Sequence, residues 1–308
     1  MNTQIIQNFN NLLHSFNIKA ECVSYNNINS YFYFDLKLNP TAKVKDIQKY
    51  SDELSLALKA PCKPSIRVLH ESGVVRLEFA ANSAIKFNLF DLLTKDNIPS
   101  GEVTCLLGQM VSGDKMWMDL AQNPHMIVSG TTGSGKSTLL HNIIGNLFHH
   151  NNVDLILIDP KMTEFYDYNF HFKSVPVYSS YAECVEILDN LINIMEFRYE
   201  LIRAGKNSSE FKPIVLMIDE FADLIMQDTN NKFGLTLCRL AQKCRAAKIY
   251  LILSTQRPSV DVINGAIKAN FPARIACHVS SHVDSKVILD APGAENLRGK
   301  GDALLRDN

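Results

Sequence analysis

Residues 125–138 read HMIVSGTTGSGKST. His125 to Ser129 is a short apolar run of strand type. Gly130-Thr131-Thr132-Gly133-Ser134-Gly135-Lys136-Ser137 fits GxxxxGK[ST], and a helical run from Lys136 to His149 follows. Strand, glycine loop and helix in that order form the context in which this pattern holds phosphate. Glycines let backbone N–H groups turn inward onto phosphate oxygens, and the helix N-terminus adds a partial positive charge. Lys136 is placed to reach the β- and γ-phosphates, and the Ser137 hydroxyl to ligate Mg²⁺. The loop from Gly130 to Thr138 is therefore the expected site of ATP and Mg²⁺.

Downstream, apolar runs alternate with helical ones: Val153 to Ile158, Tyr181 to Arg203, Ile214 to Ile218, Lys232 to Ala246 and Ile249 to Ser254. The strands are almost continuously hydrophobic, as in a parallel sheet covered on both faces. Ile214 to Ile218 ends in Asp219-Glu220. The strand brings Asp219 beside the metal and turns Glu220 toward the γ-phosphate, where it orients and deprotonates water; a helix-capping acid pair is the alternative. Ile249 to Ser254 ends in Thr255-Gln256-Arg257-Pro258, so Gln256 is a candidate γ-phosphate sensor or a polar turn residue. Asp159-Pro160-Lys161 points to the same carboxyl edge, where ligands of open α/β sheets sit. His278 and His282, with Cys277, lack a third metal ligand; His278 reads as part of a strand. His149-His150 reads as a solvated helix end.

Upstream lies a different pattern. Gln4 to Phe16 has helical spacing, Tyr31 to Leu38 alternates as a strand, and Lys43 to Ala60 reads as one helix. Two short strands, Ile66 to Leu69 and Val74 to Phe79, are joined through Gly73. The polar stretch 95–101, KDNIPSG, marks a boundary. The expected architecture is a small α+β domain over 1–100 and a P-loop α/β domain with a mostly parallel sheet over 101–308. The Asn-rich patches, Asn26-Asn27 among them, fit loops.

The 308 residues and 46% hydrophobic content support a large core and about two domains. Against 31 Lys+Arg stand 32 Asp+Glu, a net charge of -1, so composition gives no global signal for nucleic acid. Locally the balance splits. From Arg239 to His282 there are seven bases and one acid, and from Glu183 to Asp228 ten acids and four bases. A basic surface along a phosphate backbone and ordinary clustering both fit. No apolar run approaches the roughly 18 residues of a membrane helix, and the seven scattered cysteines contain no CxxC, as for reduced thiols in a cytoplasmic protein.

Longer segments resemble the motor region of FtsK/SpoIIIE-type DNA translocases: PHMIVSGTTGSGKST (124–138), LILIDPKMTEF (155–165), VLMIDEFADL (215–224), the run RLAQKCRAAKIYLILSTQRPS onward (239–290) and GAENLRGKGDALL (293–305). The block from about Tyr31 to Ala81 resembles the family's small α domain. The resemblance implies a RecA-like fold and a homo-hexameric ring that threads double-stranded DNA by ATP hydrolysis, in chromosome partition at cell division or in mobile-element transfer. It nominates Arg245 as an arginine finger supplied in trans, and Arg257 and Lys268 as pore-loop contacts to the DNA backbone. His282 stands where the family has a third, lysine contact, and Lys248 where it has glycine. The family's membrane helices and DNA-reading winged-helix domain have no counterpart in these 308 residues. A secretion-type ATPase that moves protein, and a remnant that binds ATP or DNA without cycling, are the rival readings.

Overall fold

The computed structural model describes residues 2–28, 30–82, 99–150, 152–171 and 175–307, without the side chains of His149, His150 and His171. The expected boundary at 95–101 lies largely outside these residues, as do the side chains of the His149-His150 pair. By proximity the chain divides into two compact units, one drawn from Met1–Leu92, Gln109–Lys115 and Asn296–Arg298, the other from the remainder.

The first unit is an antiparallel sheet with helices. Helix α1 (Asn2–Ser15) is followed by β1 (Ala20–Ile28), β2 (Tyr31–Leu38), α2 (Val44–Lys49), α3 (Ser51–Ala57), β3 (Ser65–Leu69) and β4 (Val74–Ala80), with sheet order β1-β2-β4-β3. Alternation along β2 buries Phe34 and Leu36 against Phe9 and Leu13 of α1. Two expectations change. The helix predicted over 43–60 is two helices broken at Tyr50 (φ −105°, ψ 20°). There the Ser51 hydroxyl donates to the Gln48 carbonyl at 2.8 Å, a local bond that competes with helical pairing. Asn26 and Asn27 are strand, not loop: they pair with Tyr33 and Phe32 on the edge strand β1, where polar side chains can remain in water.

The second unit carries the large sheet. After the two-stranded pair β5 (Thr104–Gln109) and β6 (Lys115–Asp119) come β7 (His125–Ser129), α4 (Lys136–His150), β8 (Asp154–Ile158), α5 (Tyr168–His171), β9 (Val177–Tyr178), α6 (Tyr181–Arg203), β10 (Ile214–Ile218), α7 (Phe221–Gln227), α8 (Lys232–Lys243), β11 (Ile249–Thr255), α9 (Gly265–Asn270), β12 (Ala273–Cys277), α10 (His282–Leu289) and β13 (Ala303–Arg306). The order is β13-β12-β7-β11-β10-β8-β9, with only the β12–β13 pair antiparallel. This is the mostly parallel α/β sheet expected. Every residue of β7, β10, β11 and β12 is buried, which is why these strands are apolar on both faces.

Helix α8 stops at Lys243 rather than Ala246, because the Tyr199 hydroxyl takes the Lys243 carbonyl at 2.6 Å and the chain turns. His278 lies just beyond β12, not within it. Among the described residues no helix is long and apolar enough to cross a membrane.

Candidate functional site

Three neighbouring parallel strands, β7, β11 and β10, end at one edge of the sheet. Their tips carry Gly130, Thr255 and Asp219, so sheet order alone collects residues far apart in sequence.

The glycine loop is held from two sides. Thr131 N–H donates to the His278 carbonyl at 2.9 Å, and Gly130 N–H to the Thr255 carbonyl at 3.3 Å. A Cβ at Gly130 would lie 2.6 Å from the Cys277 Cβ. At Gly135 both backbone and space require glycine: φ is +103°, and a Cβ would lie 2.4 Å from the Gly301 nitrogen. Gly301 N–H donates to the Ser134 carbonyl at 2.8 Å. The loop Gly299-Lys300-Gly301, all at positive φ, thus forms a wall of the phosphate-type cradle. Its sequence had only the family resemblance to mark it. Burial pushes the Cys277 thiol beside the loop up to about 11, against the pull of nearby Lys136.

Helix α4 begins at Lys136, and its first bond is Leu139 N–H to the Gly135 carbonyl. The preceding amides therefore have no acceptor within the helix, as a bound anion requires. Ser137 and Thr138 lie on this first turn, half-buried and exposed respectively. Lys136 is buried; its Nζ lies 2.6 Å from Asp219 Oδ1 and 2.7 Å from Ser254 Oγ, and Ser254 Oγ donates to the same Oδ1 at 2.9 Å.

Asp219 directly follows β10, and Glu220 turns the chain into α7 through a left-handed conformation (φ 47°, ψ 55°). Successive acids therefore face different partners. Glu220 Oε1 accepts from Thr255 Oγ1 at 2.7 Å and Oε2 from Gln256 N–H at 3.0 Å. Gln256 Oε1 accepts from Thr132 Oγ1 at 2.8 Å. Sequence reasoning passed over Ser254 and Thr255; their signal is a polar pair closing an otherwise apolar strand.

The hydroxyl of Ser137 and the carboxylate of Asp219 are hard oxygen donors, which suits Mg²⁺, and the glycine loop is open at Gly133, where φ is +77° and a Cβ would meet nothing within 4 Å. These residues fit ATP·Mg²⁺. Asp159 has a different task. Fully buried, it accepts the N–H groups of Lys161, Thr163, Glu164 and Phe165 at 2.8–3.1 Å and so folds its own loop. Lys161 pairs with Asp223 at 3.1 Å.

Arg245 is exposed in the turn before β11, whereas Gln256 follows that strand. Six strand steps separate the ends of β11, about 20 Å, so Arg245 lies at the opposite sheet edge from its own glycine loop. It lines an open depression of about 400 Å³ with Tyr199, Lys243 and Lys248. Lys248 takes φ +53°, a conformation that favours glycine, and is secured by Glu102 and by the Ser209 carbonyl at 3.1 Å.

Of the candidate DNA contacts, Arg257 and His282 are exposed, His282 as the first residue of α10. Lys268, on α9, is ion-paired with Asp290 at 2.8 Å. The basic stretch is not a continuous basic surface. Arg239 pairs with Glu196, Lys248 with Glu102, and both Lys268 and Arg274 with Asp290.

The model of the FtsK/SpoIIIE family matches residues 94–210 and 203–260. The chain is 36% identical over 303 residues to the DNA translocase FtsK of Chlamydia trachomatis serovar D, an alignment covering 88% of this chain and 38% of that protein. It is 36% identical over 321 residues to the DNA translocase SftA of Bacillus subtilis, covering 96% of this chain and 33% of that one. The chain therefore spans well under half the length of these relatives. Among solved structures, the pCW3 conjugation coupling protein TcpA, monomer form with ATPγS, superposes with a TM-score of 0.68 at 23% identity over 98% of this chain and 92% of that one. The cytoplasmic domain of the Type VII secretion ATPase EccC of Thermomonospora curvata gives 0.58 at 21% identity, over 67% and 27%. At these identities the structural likeness is one of fold.

Proposed function

The chain belongs to the FtsK/SpoIIIE family, and we propose that it hydrolyses ATP to drive double-stranded DNA through a ring, a homo-hexamer, of its own copies. The observation that carries this reading is the meeting of Lys136, Asp219 and Glu220 at one sheet edge while Arg245 lies at the other. A site complete except for a finger, on a subunit with the finger facing away, suits a ring in which each neighbour completes the next.

In this reading the loop from Gly130 to Thr138 wraps the phosphates through backbone amides. Lys136 exchanges Asp219 for the β/γ-phosphates. Ser137 and Asp219 hold Mg²⁺, which when bound neutralises charge on the β- and γ-oxygens. Glu220 takes the proton from the attacking water, Gln256 senses the γ-phosphate, and the neighbour's Arg245 stabilises the transferring group. Arg257, Lys268 and His282 contact the DNA backbone, so movement is independent of base sequence. In this reading the protein acts in the cytoplasm.

The test is the ATPase rate with and without long duplex DNA, alongside Lys136→Ala. Strong stimulation by DNA, abolished in the variant, is expected. A rate indifferent to duplex DNA overturns the reading.

A further inference from the structure

Thr255 has no part in the site as read so far, yet its hydroxyl stands between two residues that do. Oγ1 donates to Glu220 Oε1 at 2.7 Å and accepts the Arg257 backbone N–H at 3.0 Å. One buried oxygen therefore joins the carboxylate that activates water to the backbone of the residue that touches DNA. The other oxygen of Glu220 is held by Gln256 N–H, so both donors sit on the three-residue segment 255–257.

Glu220 is 1% exposed. A general base must come within about 2.6–3.2 Å of the proton it takes. A carboxylate sealed from solvent, with a protein donor on each oxygen, is not placed to do so. Its left-handed backbone (φ 47°) is a strained conformation for a residue with a side chain. Moving the tip of β11 would withdraw both donors together, because they share one short segment. Arg257 is the exposed end of that segment.

We propose that Thr255 is a positioning residue: its hydroxyl holds Glu220 back from the attacking water and releases it when the Arg257 backbone shifts on contact with DNA. This rests on the roles given to Glu220 and Arg257 in the functional reading. The relation is a population shift between a held and a released carboxylate, biased by DNA through differential contact.

The experiment measures kcat and KM for ATP, with and without long duplex DNA, for the full chain and its Thr255→Val, Thr255→Ala and Thr255→Ser variants. Val keeps the volume of the fully buried side chain and removes the donor. A hydrogen bond to a charged group contributes about 1.5–3 kcal/mol. The expected result for Thr255→Val is therefore a DNA-independent kcat about tenfold or more higher. The DNA-stimulated kcat changes little, KM for ATP stays within about twofold, and the stimulation ratio collapses. Thr255→Ser, which restores the hydroxyl, returns the ratio to that of the parent. The proposal is overturned if the ratio is unchanged in Thr255→Val, or if both rates fall together. It is overturned too if neither the Val nor the Ala variant melts cooperatively, since the hydroxyl is then a folding determinant. A parent rate indifferent to DNA overturns the functional reading instead. The basal rates of parent and Thr255→Val then still decide whether the hydroxyl restrains Glu220.

Discussion

Lys136 Nζ and Asp219 Oδ1 are 2.6 Å apart, and each side chain is only 3% exposed. The cation proposed to hold phosphate is thus paired inside the protein with the carboxylate proposed to hold the metal. Removing one member of a buried pair leaves the other charge uncompensated, at about 3–5 kcal/mol. Lys136→Ala is therefore expected to lower thermal stability, measured without nucleotide, as well as to abolish hydrolysis. Lys136→Met combined with Asp219→Leu should recover part of the melting temperature and none of the activity. An unchanged melting temperature in Lys136→Ala would contradict the buried pair.

The position of Arg245 leads to a mixing experiment. Its edge of the sheet lies about 20 Å from its own glycine loop, so the proposed finger role requires the glycine loop of a neighbouring copy. Arg245→Ala and Glu220→Gln subunits should each be inactive alone. Mixed, they form some interfaces in which an intact Glu220 meets an intact Arg245, and ATPase activity should reappear. No recovery at any mixing ratio would refute action in trans.

Arg257 and Lys268 should separate by their stability effects. Arg257 is exposed, so Arg257→Ala should weaken binding to all duplexes alike and lower the salt slope by about 1 without moving the melting temperature. Lys268 has a structural partner. Its hydrogen bond, with that of Arg274, holds the Asp290 carboxyl down at about 2 despite partial burial. Lys268→Ala should therefore lower the melting temperature above pH 4, where Asp290 is ionised, with the difference fading as pH falls through about 2. Fluorescence anisotropy against salt and thermal melts against pH read the two effects; an equal stability loss in both variants would refute the distinction.

His125 gives the unit a defined acid sensitivity. Burial pushes its imidazole down to about 4 from the ordinary 6.5, and the Arg245 charge acts in the same direction. The unfolded chain therefore binds a proton between those values that the folded chain refuses. Stability is full above 6.5 and falls toward pH 4, by about 3 kcal/mol. His125→Gln should flatten this part of the profile in urea denaturation at pH 7.5, 6, 5 and 4.5. An unaltered slope would exclude His125 as its source.

The glycine loop, the acids closing β10 and the parallel strands were legible because each is a local pattern: glycine spacing, apolar runs and the residues that end them. The helix expected over 43–60 failed at Tyr50, where the Ser51 hydroxyl, a single side-chain bond, outcompetes helical continuation. The wall at Gly299 to Gly301 was not legible. It touches the cradle only because β12 lies beside β7 in the sheet, and nothing in its own residues states that adjacency.

By itself the sequence determined the glycine loop between strand and helix, the acid pair that follows β10 and the fold class, since steric and hydrophobic patterns within one segment suffice for each. Only the tertiary structure decided the partners. It joined Thr255 to Glu220 across 35 residues, because β10 and β11 are neighbours and end at the same edge. It also dispersed the basic stretch from Arg239 to His282, sending four of its seven cations to Glu196, Glu102 and Asp290. Charge counts along a chain ignore distance in space, whereas the Coulomb energy of two unit charges is set by that distance and the medium between.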